Sequence, residues 1–267
     1  MENLVAINRR LLKMIKKLYE KSEIWFAISW IILYCVLSSI GDRISLQIGI
    51  LKIITLPILI SLTIVMYLFL KKYGLIAKYG LRKPQISNSK MLFYIPLMIL
   101  ITVNLWSGIM VNYSPLETVL FILSMLFVGF LEEMIFRGFL FNALMKDGIQ
   151  SAIIISSVTF GIGHIVNLFN GSGADFLSNF LQLIYAFAIG FTFVMIYYKT
   201  QSLLPCIVTH GLFNAAGAFA NKAAITTSGR IATSVLIVLI AGSYALYLIL
   251  SIKNKKNEEL ELQKSIV

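Results

Sequence analysis

Acid is scarce in this chain: 12 Asp and Glu stand among 267 residues, against 23 Lys and Arg. Charged residues of both signs make up 13%, about half the share of an ordinary soluble domain, while 58% are apolar and the mean hydropathy is +0.86. So few charges cannot solvate a globule's surface as well as its loops, and a water-soluble fold is excluded. The formal charge of +11 invites a nucleic-acid partner. However, the basic residues lie in short runs between apolar stretches with no aromatic-interleaved basic face, so no nucleic acid is expected. Cysteine occurs twice, at Cys35 and Cys206, which fall near opposite ends of separate apolar segments. A disulfide between them is excluded on distance, and both are expected to pack as small apolar residues.

What is abundant is long apolar runs. A helix needs about 20 apolar residues to cross a hydrocarbon core roughly 30 Å thick. Eight such stretches appear, at about 24–40, 48–70, 91–111, 116–145, 151–169, 179–198, 203–220 and 231–252. They lack the alternation of a barrel strand, so the expected fold is all-α, a polytopic membrane bundle of about eight transmembrane helices. Basic residues orient it. With eight spans, Lys52 and Arg137 fall inside spans and only Arg43, Lys222 and Arg230 lie on the far side, which puts both termini in the cytoplasm. Three parts follow: a basic segment 1–23, a single bundle 24–252, and a polar tail 253–267. The first 23 residues lack the uninterrupted apolar core of a signal peptide. Leu4, Ile7, Leu11, Leu12, Ile15 and Leu18 recur there at helical spacing among basic residues, which suits either an interfacial helix on anionic lipid or a solvated tail that sets topology.

Against this background the interior charges stand out. Ten of the 12 acids sit in tails, loops or span ends, leaving Glu132 and Glu133 within the fourth span. Arg137 and both histidines, His164 and His210, are also inside spans. A charge at the bilayer centre costs about 2.5–3.5 kcal/mol on insertion scales, so such groups are functional candidates. Counting about 1.5 Å per residue from the cytoplasmic ends puts the glutamates and His164 about 20 Å deep, His210 about 10 Å and Asn214 about 16 Å, all in one slab. Residues four apart share a helix face: Glu133 with Arg137, Phe160 with His164, His210 with Asn214. A buried Arg needs a carboxylate, which makes Glu133 the counter-ion and Glu132 the freer group. Gly161, Gly163, Gly211, Ala215 and Gly217 would let these helices approach closely.

Glu132-Glu133-Met134-Ile135-Phe136-Arg137, Phe160 with His164, and His210 with Asn214 read as EExxxR, FxxxH and HxxxN, in that order on membrane helices. Together they resemble the CPBP family, the CAAX-processing type II prenyl endopeptidases and the bacterial Abi proteins of bacteriocin processing and immunity. The resemblance covers about residues 121–218, within a core of 116–220. It implies an intramembrane endopeptidase acting on a membrane-associated or lipid-anchored peptide, in CAAX-type processing, bacteriocin or pheromone maturation, or self-immunity. In that reading Glu132 activates water, and His164, His210 and Asn214 complete the catalytic set. Glu133, Arg137 and Phe160 organise it. No cofactor is expected. The alternative is a Zn²⁺ enzyme with Glu132, His164 and His210 as ligands, although no HExxH occurs. A proton- or ion-coupled carrier and a non-catalytic immunity or scaffold protein remain the other readings. The expected partners are membrane lipid and a lipidated or membrane-associated peptide. The expected location is a membrane, the plasma membrane if the source is bacterial.

Overall fold

The computed structural model describes residues 2–168 and 175–251, and among these the architecture is helical, with one isolated antiparallel bridge between Ile109 and Ala220. The expected tail 253–267 and the end of the fifth span at Phe169 lie outside the described residues. Helix α1, Glu2–Lys21, leads through Ser22 into α2, Glu23–Ile48, whose first turn is capped by the Ser22 hydroxyl accepting from the Trp25 amide. Then follow α3, Thr55–Lys72, and α4, Ile95–Thr102. Helix α5, Pro115–Glu133, runs on through a π-helical turn, Met134–Phe141, and the short α6, Asn142–Leu144. The rest are α7, Ile149–Gly163; α8, Phe176–Thr200; α9, Leu204–Ala216; and α10, Thr227–Ser251.

Among the described residues six helical stretches are long and apolar enough to cross a membrane: Glu23–Ile48, Thr55–Lys72, Pro115–Asp147, Ile149–Leu168, Phe176–Thr200 and Thr227–Ser251. Two further apolar helices, Leu92–Leu105 and Leu204–Phe219, coincide with the third and seventh expected spans but are shorter, about 21 and 24 Å at 1.5 Å per residue. The first of these is regular only over α4. Leu92, Phe93 and Tyr94 have positive φ (51°, 49°, 58°), and Pro96 in the first turn has no N–H with which to extend the helix backwards.

The boundary between the first two spans also differs from expectation. The first span does not stop at Ile40: α2 continues through Asp42 and Arg43 and ends at Gly49, whose φ of 80° closes it with a left-handed cap. Lys52 consequently lies in the turn before α3, not inside a span, and its Nζ donates to Asp42 Oδ1 at 2.7 Å.

Lipid-like surface and interior are distributed as a membrane bundle requires. Ile32, Val36 and Ile40 of α2 and Leu236, Leu239 and Leu246 of α10 face outward. Inside, Phe26, Phe69, Tyr79 and Phe139 pack α2, α3 and the π turn together, and Phe193, Ile196, Tyr244 and Leu248 join α8 to α10. Helix α1 lies against this bundle. Leu12 is buried, Tyr73 Oη donates to the Leu12 carbonyl at 3.3 Å, and Lys78 Nζ bridges Tyr19 Oη and Glu23 Oε1 at 2.5 and 2.9 Å. Leu11 and Met14 stay exposed, and the side chains of Leu4 and Ile7 lie outside the described residues.

Candidate active site

Helices α5 and α9 meet at glycine. A Cβ on Gly129 would sit 2.6 Å from the Gly211 amide nitrogen and 2.8 Å from its Cα, so only glycine lets the two backbones touch. This contact lies one turn before Glu132 and Glu133 and directly beside His210. Of the small residues expected to serve close approach, Gly211 does so here and Gly161 against α8, where a Cβ would come 3.3 Å from the Leu183 carbonyl oxygen. Gly163 and Gly217 do not: their nearest neighbours would be single ring atoms at 3.8 and 3.9 Å.

Beyond this contact the helix changes pitch. The π turn Met134–Phe141 is fully buried, and the carbonyls it displaces are taken up by side chains. Ser156 Oγ donates to the Phe136 carbonyl at 2.9 Å, and Asn142 Nδ2 donates to the Gly138 and Arg137 carbonyls at 2.6 and 3.2 Å. Such turns are rare and recur at functional sites.

Arg137 and Glu133 form a fully buried ion pair, Nη1 to Oε1 at 2.9 Å. The guanidinium carbon lies 4.0 Å from the centre of the Phe160 ring and 5.5 Å from that of Phe193, so two aromatic faces take part of the charge. Gly190 makes room for this stack, since a Cβ there would stand 3.0 Å from Phe160 Cδ1 and 3.2 Å from Arg137 Nη2. The same Glu133 Oε1 lies 2.7 Å from His210 Nδ1. A carboxylate held by Arg137 only accepts, so Nδ1 carries the proton and donates, which fixes the ring and leaves Nε2 as its other nitrogen. Nε2 is 3.6 Å from Glu132 Oε2. His164 is oriented in the same manner: its Nδ1 lies 3.1 Å from the Phe160 carbonyl, which can only accept, and Asn179 Nδ2 holds the His164 carbonyl at 2.8 Å.

Glu132 turns the other way from its neighbour, as adjacent residues about 100° apart on a helix must. It lines a cavity of about 350 Å³ together with Phe160, His164, His210 and Asn214, whereas Glu133 and Arg137 do not reach that cavity. The structure thus brings five of the predicted residues to one cavity and sets the ion pair behind them. Among the described residues the Asn214 amide has no hydrogen-bond partner. The sequence reading missed Tyr34, whose Oη donates to Glu132 Oε1 at 2.6 Å. Its signal was present in the polar positions Tyr34, Ser38 and Asp42 spaced by four in an apolar helix. Cys35, expected only to pack, also lines the cavity, while Cys206 is buried against the Phe193 carbonyl and both thiols are free. No three His, Cys, Asp or Glu side chains among the described residues are grouped to hold a metal ion, so the proposed zinc ligands do not form a coordination set in this arrangement.

Residues 114–216 match the family model described as type II CAAX prenyl endopeptidase Rce1-like. Over that stretch the chain is similar to the CPBP family. All three motifs fall within the matched stretch, which therefore holds the buried pair, the cavity carboxylate and the two imidazoles. No curated protein and no solved structure matches the chain. The matched stretch leaves out α1 to α4 and α10, so Tyr34 lies outside it.

Proposed function

We propose that the protein is an intramembrane endopeptidase that hydrolyses a peptide bond in a membrane-associated or lipid-anchored peptide, with Glu132 activating the water. The observation that carries this reading is the shared cavity, in which one carboxylate, two oriented imidazoles and an unengaged amide converge within an apolar bundle. Peptide hydrolysis needs a base for water, a donor for the tetrahedral oxyanion and a proton for the leaving amine. Glu132 Oε2 takes the proton as the water oxygen bonds to the carbonyl carbon. His164 and His210 each have Nδ1 engaged, which leaves Nε2 as an acceptor, and one of the two holds the water's second hydrogen. The Asn214 amide donates to the oxyanion. As the C–N bond breaks, Glu132 returns its proton to the amine nitrogen, so the carboxylate ends as it began. Glu133 and Arg137 act behind the wall by fixing His210. The CPBP match supports a CAAX-type substrate, a chain whose lipid anchors it beside the cavity; bacteriocin or pheromone precursors are further substrates of the same chemistry. Both termini would face the cytoplasm.

The test is cleavage of a quenched-fluorescent, membrane-associated peptide by the purified protein in detergent. Glu132→Gln should lower kcat by about 10³-fold, within the range for a lost general base, and chelator should leave the wild-type rate unchanged. Chelator-sensitive cleavage restored by zinc would replace the metal-free scheme. Glu132-dependent ion flux in proteoliposomes without any cleavage would overturn the peptidase reading.

A further inference from the structure

The cavity has a second polar wall that the scheme above does not use. Tyr34, Ser38 and Asp42 recur at intervals of four on α2 and therefore share one face of an otherwise apolar helix. All three line the cavity with Glu132, and so do Ser39, Lys52 and Thr55. At the inner end Tyr34, only 8% exposed, donates to Glu132 Oε1 at 2.6 Å. At the other end Asp42 Oδ1 accepts from Lys52 Nζ at 2.7 Å and from Thr55 Oγ1 at 2.6 Å. The Asp42 and Lys52 side chains keep 21% and 14% of their surface, so this end reaches the outside of the molecule beside the α2–α3 turn. Between the two ends Ser38 Oγ donates to the Tyr34 carbonyl at 2.6 Å, which uses its hydrogen and leaves its oxygen as an acceptor in the cavity lining.

Polar groups inside a membrane bundle are costly unless paired or wet. Each bond hydrolysed also consumes one water, which the lipid-facing sides of the helices cannot deliver. We propose that this face of α2 is the route by which water reaches Glu132, with Tyr34 as the positioning residue that holds the carboxylate at the inner end. The role of Tyr34 rests on Glu132 being the base, whereas the route does not. Because Tyr34 occupies Oε1, the oxygen left for the water is Oε2, the one nearer His210 Nε2.

Two measurements test the two halves separately. With Cys35 and Cys206 replaced by Ala, Ser38→Cys and Val36→Cys are each exposed to a charged methanethiosulfonate reagent in membrane vesicles opened by freeze–thaw. Val36 faces outward from the same helix. Modification of Ser38→Cys at least tenfold faster than Val36→Cys is expected, and equal rates would overturn the route whether or not the protein cleaves peptides. In the otherwise unmodified protein, Tyr34→Phe should lower kcat by about 10- to 100-fold, the usual effect of losing a residue that orients a reacting group. KM should stay within about twofold and the melting temperature in detergent should not move, where a purely structural tyrosine would shift melting and leave kcat. A wild-type kcat in Tyr34→Phe would remove the positioning role, while wild-type cleavage by Glu132→Gln would sink the catalytic reading instead.

Discussion

Replacing Gly129 by alanine should disable the site without touching any group that lines it. The added Cβ would lie 2.6 Å from the Gly211 nitrogen, 2.8 Å from its Cα and 3.1 Å from the Ile207 carbonyl oxygen, all backbone atoms that no rotamer change can clear. Ordinary carbon contacts begin near 3.4 Å, so α5 and α9 must part by about 0.8 Å. Overpacking of this kind costs about 1–3 kcal/mol. The displacement falls beside His210, whose Nδ1 is 2.7 Å from Glu133 Oε1. Moved by the full amount, that bond lengthens to roughly 3.5 Å, beyond useful hydrogen bonding. A misplacement near 1 Å at a catalytic constellation costs about 10²-fold in rate. The expected result is therefore a folded protein with a lowered melting temperature and kcat reduced about 100-fold in the fluorogenic peptide assay. Gly242→Ala in α10 is the control, because nothing lies within 4 Å of its added Cβ and helix propensity alone would stabilise it by up to about 1 kcal/mol. If Gly129→Ala melted and turned over like Gly242→Ala, the glycine contact would not be what positions His210.

Glu133→Gln should destabilise the protein by about 3–5 kcal/mol, because Arg137 is left fully buried without a carboxylate, whereas Glu133→Leu with Arg137→Met should regain most of that stability yet stay inactive, since His210 has lost the acceptor for Nδ1. Denaturant titration in detergent beside the cleavage assay separates the two effects. At the start of α8, Asp175 accepts from the Ser178 hydroxyl and amide, helped by Arg230, and its carboxyl is held down at about 2. A depressed carboxyl stabilises above its unfolded pKa of about 3.9 and loses that contribution as pH falls through about 2. The gap in melting temperature between the wild type and Asp175→Asn should accordingly be constant from pH 7 to 5 and close between pH 4 and 2.

Much of the fold was legible because the bilayer restricts the alternatives. Six of the eight apolar runs are helices of spanning length, and the remaining two are apolar helices in the expected places but short. Boundaries were harder. Gly41-Asp42-Arg43 looks like a break, yet α2 passes through it, since Asp42 is satisfied by Lys52 and Thr55 and the chain turns only at Gly49. Spacing also shows Glu133 and Arg137 to be neighbours, and adjacency alone requires Glu132 to face elsewhere.

The scarcity of acid and histidine, together with the four-residue intervals among the few that occur, is a property of the linear chain. It names the residues of the site, because a helix converts spacing into a shared face and a membrane makes each interior charge exceptional. Spacing within a helix says nothing of which face meets which across helices. That Glu133 serves Arg137 and His210 together, that Gly129 must meet Gly211, and that Tyr34 reaches Glu132 from 98 positions away were decided only by tertiary packing, because these contacts depend on how helices cross.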